Sequence, residues 1–287
     1  MSPARYLSLT RGALWSLTII VITGGAVRLT GSGLGCSDWP NCEEDQLVSD
    51  FEYHGLIEFG NRMFTGVVTI AVIAAVLGSL RRRPRRADLI RLSWGLVLGV
   101  VAQIILGALL VKTELDPRFT MGHFLLSMVL LWNATVLMHR AAIDDPLVAP
   151  GPPHPFRRWT QGILIGGAGV LVMGTIVTGS GPHSGSDEAE VAERLPFLVR
   201  DVTRFHSITA LALLAAVLGL LWVVRSSGRS DLMRPALVVV GLLVAQGVVG
   251  YWQYFAGVPV LLVAVHITLA SITWINIVRL DLAASTT

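Results

Sequence analysis

The chain is a series of long apolar runs separated by short polar ones. Eight apolar runs occur, at roughly 11–30, 58–80, 90–112, 119–140, 158–179, 201–225, 233–254 and 258–280. Each is close to the ~20 residues that an α-helix needs to cross a bilayer. The pattern predicts eight transmembrane helices and an all-α, polytopic membrane protein. The polar runs sort by charge. The segment 81–91, RRRPRRADLIR, carries six arginines. Arg140, Arg157 and Arg158 flank the fourth loop, Arg225, Arg229 and Arg234 mark the sixth, and Arg279 lies near the end of the last run. The first loop, 31–57, has Asp38, Glu43, Glu44, Asp45, Asp50 and Glu52 but no Lys or Arg. The excess of basic residues on cytoplasmic loops then places both termini inside and the loops 31–57 and 180–200 outside. The stretch before the first run is too short to be a cleavable signal, so that run is expected to stay as a membrane helix.

The runs also repeat. His123 and His266, Asn133 and Asn276, Val101-Ala102-Gln103 and Val244-Ala245-Gln246, and Gly107 and Gly250 all match at an offset of 143. The first run of each half ends alike, in Thr30-Gly31-Ser32-Gly33 and Thr178-Gly179-Ser180-Gly181. The second runs share AAVLG, at Ala74 to Gly78 and Ala215 to Gly219. Four spans per unit return the chain to its starting side. The expectation is therefore two four-helix bundles of the same orientation, related by a pseudo-twofold axis along the membrane normal. They are assigned to 1–140 and 158–287, with 141–157 as a cytoplasmic linker that holds Pro146, Pro150, Pro152, Pro153 and Pro155.

Composition supports the membrane reading. Charged residues make up 14% of the chain and hydrophobic ones 53%, against about 25% charged in a soluble domain. The net charge of +3 is explained by topology and does not point to nucleic acid.

An ionisable side chain inside a membrane is costly, so the histidines within the runs are candidates for function. His123, His206 and His266 all fall in the outer half of the bilayer. His206 and His266 lie in one half of the chain on helices of opposite direction. Such a pair can bind a haem iron from both faces; the plainer reading is a core histidine bonded to a neighbouring carbonyl. At the start of the second run, His54, Glu58 and Asn61 share one helical face if the helix reaches back to His54. Glu58 can pair with Arg62 one turn on, either as part of a site or as an interfacial cap with a surface ion pair. Cys36 and Cys42 lie in the outer loop, where a disulfide persists, and the bridge can be structural or redox-active. His183 reads as a solvated or interfacial loop residue, and His139 and His154 as cytoplasmic-side residues with no partner.

These residues bring a family into view. GGAVRLTGSGLGCSDWPNC, IEFGNR, MGH, RFHS and AVH, spread over nearly the whole chain, resemble the haem A synthase family and its actinobacterial branch in particular. The resemblance implies an enzyme that oxidises the C8 methyl of haem O to a formyl group for assembly of cytochrome aa3-type oxidase. It implies that His206 and His266 bind a haem B and that His123 holds the substrate haem O. Glu58 matches the essential glutamate, with Asn61 and Arg62 beside it, and Cys36 and Cys42 match the loop pair. Many members have His where this chain has Asn61, which leaves His54 as a candidate replacement ligand. The implied partners are haem O, the haem O synthase that makes it, an electron donor or acceptor, membrane lipid and a second copy in a homo-oligomer. The implied location is the plasma membrane, with the cysteine loop outside. Two other readings fit parts of the pattern. A bis-His dihaem quinone oxidoreductase explains the histidines but not why Glu58 and the cysteines occur in one half alone. A transporter or structural protein with packing histidines would carry no haem.

Overall fold

The computed structural model describes residues 1–36, 38–42, 52–143, 155–186, 192–227 and 230–285. Glu43, Glu44, Asp45 and Asp50 of the acidic loop lie outside the described residues. So do Pro146, Pro150, Pro152, Pro153 and His154 of the expected linker, and Arg229. The described residues form eight helices: α1 (Pro3–Leu29), α2 (Tyr53–Arg81), α3 (Ala87–Lys112), α4 (Pro117–Ala141), α5 (Pro155–Ser180), α6 (Val199–Ser226), α7 (Ser230–Phe255) and α8 (Val260–Ser285). All eight are long and apolar enough to cross a membrane, so the protein is an all-α, multi-pass membrane protein.

The helices outrun the apolar runs that foretold them. α1 starts at Pro3, eight residues before its run, because Ser2 caps it and proline fits its first turn. A span of 25 to 29 residues rises about 40 Å, beyond the ~30 Å hydrocarbon layer, so the polar ends stand in the interface. α2 begins at Tyr53, which puts His54, Glu58 and Asn61 on one helix.

α1 packs on α2, α2 on α3, α3 on α4, and α4 back on α1; α5 to α8 form a second ring in the same order. The rings meet through α1, α4, α5 and α8. Helices that face each other across a ring, α2 and α4 or α6 and α8, keep their backbones apart and meet only through side chains. At the end bearing the arginine-rich segment the rings are filled. Leu14, Val72, Leu96, Leu131 and Leu137 pack in the first. Ile163, Val217, Leu220, Leu232 and Leu280 pack in the second. Outward apolar residues such as Trp15, Ile70, Leu98, Ile165 and Trp222 stay exposed, as a lipid-facing surface requires.

The two short hairpin turns are built alike. Glu114 and Leu115 join α3 to α4 with φ of 50° and 63°, and Gly257 and Val258 join α7 to α8 with φ of 79° and 61°. The two pairs are again 143 residues apart. A left-handed backbone costs a non-glycine residue ~1–2 kcal/mol, and packing holds Leu115 there. Its methyl groups lie where a Cβ on Gly33 or Gly185 would stand, within 3.1–3.3 Å.

Candidate active site

At the end bearing the cysteine loop the rings are hollow. One cavity of about 1840 Å³ runs through both, well above the ~300–1,000 Å³ of a typical single-ligand site. His123, His206 and His266 all line it, as do Glu58, Asn61 and Arg62. Each of the three histidines has a buried Nδ1 with no hydrogen-bond partner. A buried, unsatisfied ring nitrogen is uncommon in a histidine that only packs; the His206 ring also bonds the Val170 carbonyl of α5, as a packing histidine does.

In the second ring, His206 on α6 and His266 on α8 face each other across the gap. Their ring centres are 6.4 Å apart. An iron held between two imidazoles needs two bonds of ~2 Å plus ~1.1 Å from nitrogen to centre on each side, about 6 Å in all. The spacing fits that group. Glycines make room for the rings: a Cβ on Gly174 of α5 would come within 3.2 Å of His206 Cε1, and one on Gly250 of α7 within 3.2 Å of His266 Cε1.

The first ring has the same layout with one exchange. His123 is on α4, and across from it Asn61 is on α2. Gln103 ties α3 to α4 at this level by donating to the His123 carbonyl at 3.0 Å and to Ser127 Oγ at 2.7 Å. Asn61 is oriented by Thr23, whose hydroxyl donates to Asn61 Oδ1 at 2.8 Å. His54 does not line the cavity. Its Nδ1 lies 3.0 Å from Ser32 Oγ in the loop after α1.

Cys36 and Cys42 form a disulfide, and both are buried. The loop they close rests on α2 through one ion pair. Glu58 Oε2 accepts from the Cys36 N–H at 2.9 Å. Glu58 Oε1 accepts from Arg62 Nε at 3.1 Å and Nη2 at 2.5 Å. Arg62 Nη1 then donates to the carbonyls of Asp38 at 2.9 Å and Asn41 at 3.0 Å. The pair is therefore no surface cap: it sits inside, with Trp39 and Pro40 of the same loop forming cavity wall.

His183 differs from the sequence expectation. It lines the cavity, and its Nε2 lies 2.8 Å from the Val258 carbonyl of the α7–α8 turn. The left-handed turn at Val258 aims that carbonyl at the loop. Two cavity residues escaped the sequence reading. Arg28, in the last turn of α1, donates to the carbonyls of His183 and Thr178. Trp274 of α8 donates from Nε1 to the Met128 carbonyl of α4 at 2.8 Å, across the two rings. Arg28 is a charge inside an apolar run, and that signal was available.

The sequence was compared with known proteins. Residues 8–278 match the model of the COX15-CtaA family, described as cytochrome oxidase assembly protein. A haem A synthase of Symbiobacterium thermophilum is 29% identical over 263 residues, covering 86% of this chain and 84% of that protein. A haem A synthase of Geobacillus kaustophilus is 34% identical over 106 residues, 37% of this chain and 33% of that protein. A protohaem IX farnesyltransferase of Thermus thermophilus is 27% identical over 282 residues, which is 94% of this chain but 44% of that protein. With the family model matched over almost the full length, the chain belongs to the COX15-CtaA family of cytochrome oxidase assembly proteins.

Proposed function

We infer that this chain is a haem A synthase, a membrane oxidoreductase that converts the C8 methyl of haem O to a formyl group by successive hydroxylations. The observation that carries this reading is the single cavity shared by two unlike sites. One has two opposed imidazoles; the other has one imidazole, Asn61 and a buried carboxylate. A dihaem electron carrier has no use for that asymmetry. A haem B bound between His206 and His266 would supply one-electron transfer to and from the other site. The halves 1–140 and 158–287, related by a pseudo-twofold axis, would then be the substrate half and the cofactor half.

In the substrate half, His123 holds the iron of haem O from one side. Asn61, a poor iron ligand, offers its amide for hydrogen bonding on the other. His54 is committed to Ser32 and is not a ligand in this reading. Glu58 receives a proton or orients water at the methyl group, and its bonds to Cys36 N–H and Arg62 hold the carboxylate in place. Arg62 serves Glu58 and the loop, not the substrate. The disulfide has a structural role: it fixes the Cys36 N–H that Glu58 needs.

The farnesyltransferase match supports a partner. A relative named for farnesyl transfer to protohaem IX contains a stretch similar to nearly this whole chain. A haem O synthase that hands its product to this protein in the membrane fits that arrangement. The location we propose is the plasma membrane, with both termini cytoplasmic and the cysteine loop outside. It is supported by the arginines gathered at the filled ends of the rings.

The test is expression of the full chain in cells that make haem O, followed by extraction of the haems. Hydroxymethyl or formyl haem is expected. Haem-loaded protein that yields neither product would overturn the enzymatic reading and favour an electron carrier.

A further inference from the structure

Arg28 is largely surrounded by the protein, partly buried, and lines the cavity. Its Nε donates to the His183 carbonyl at 3.0 Å and its Nη2 to the Thr178 carbonyl at 3.3 Å. Both acceptors are neutral, and both belong to the second half of the chain. Its closest charged influence is another cation, Arg194, which donates to the Pro182 carbonyl of the same loop. Among the described residues no carboxylate lies within ion-pair distance of Arg28. A guanidinium withdrawn from water beside a like charge is strongly unfavourable unless an anion faces it.

The position of Arg28 indicates which anion. Thr178 is one helical turn beyond Gly174, the residue that abuts His206. Gly25, three residues before Arg28, packs against Ile267, the neighbour of His266. Arg28 therefore stands one turn, about 5 Å, beyond the level of the two imidazoles. A porphyrin held between them carries two carboxylates on flexible two-carbon arms along one edge, which suits that offset. A guanidinium fork matches a carboxylate in shape as well as in charge. Three other arginines line the cavity: Arg62 spends its donors on Glu58, Asp38 and Asn41, and Arg200 and Arg204 of α6 are exposed, so neither needs an anion from the cavity to offset burial.

We propose that Arg28 seats a carboxylate of the macrocycle held by His206 and His266, so that α1 of the first ring completes the site of the second. The proposal rests on the haem reading above, and the test separates the two. Full-length protein in detergent, prepared from haem-deficient cells, is titrated with ferric protohaem and with its dimethyl ester. Low-spin absorbance reports axial ligation, and no turnover is needed. Wild type should bind the free acid about 10- to 100-fold more tightly than the diester, the scale of a charged hydrogen-bonded pair. Arg28→Gln should bring that ratio close to one by weakening the acid alone, and Arg28→Lys should keep part of it. If Arg28→Gln does not fold, wild type and Arg28→Lys still decide: equal ratios near one in both overturn the proposal. A preference that survives Arg28→Gln unchanged also overturns it and assigns Arg28 to another anion, such as a lipid headgroup. No low-spin species with either porphyrin in wild type overturns the haem reading itself.

Discussion

Glu58 is the only acid on the cavity wall among the described residues, and it also ties the cysteine loop to α2. Glu58→Gln keeps the size and one acceptor oxygen but removes the charge. Product formation should fall by ~10²–10⁴-fold, the usual scale for a lost acid–base group, with the low-spin haem signal of the other half intact. Extracted haem A at near-normal levels in this variant would leave Glu58 with a structural role only. His54 and His123 give a second contrast. The His54 ring is bonded in the loop, whereas His123 lines the cavity with a free Nδ1. His54→Ala should retain substantial activity and His123→Ala should lose it; equal losses would restore His54 as a ligand. His123, His206 and His266 were legible in the sequence because an imidazole in an apolar run is costly without a purpose. Arg28 was legible by the same rule, as a charge inside the first run at its outer end, where the bias of basic residues to the cytoplasmic side does not account for it.

The loop after α1 shows how tightly one element can be fixed by another. Gly35 lies so close to α2 that a Cβ there would meet the backbone carbonyl of His54 at 2.4 Å. Backbone cannot move aside as a flexible side chain can. Gly35→Ala should therefore lift the loop and break the Cys36–Glu58 hydrogen bond, at a cost of ~1–3 kcal/mol. The expected outcome is a lower yield of folded protein, faster reduction of the disulfide and turnover reduced in parallel. Wild-type values for all three would show that the loop has slack. The sequence located this loop and its cysteines, since Gly, Pro and Cys cluster there between apolar runs. The bond from Cys36 N–H to Glu58 was not legible, because residues 22 apart meet only once α2 is in place.

The two rings are held to each other partly by Trp274, whose indole N–H reaches the Met128 carbonyl of the opposite ring. Trp274→Phe keeps most of the apolar contact and loses the bond. A stability loss of about 1 kcal/mol is expected, read as a lower thermal midpoint in detergent with the spacing of His206 and His266 preserved. An unchanged midpoint would mean that apolar packing alone joins the rings. The sequence by itself determined the eight spans, the duplication at an offset of 143 and the histidines, because each is written in local hydrophobicity or in like residues at a fixed interval. The hairpin turns carry the same offset into the backbone. Only the tertiary structure decided that the two sites share one cavity, that His54 turns away from it and that His183 and Arg28 turn toward it. Those outcomes depend on which helices stand across a ring and how far a side chain reaches between them. Spacing along a chain sets the faces of one helix, not the distance to the next.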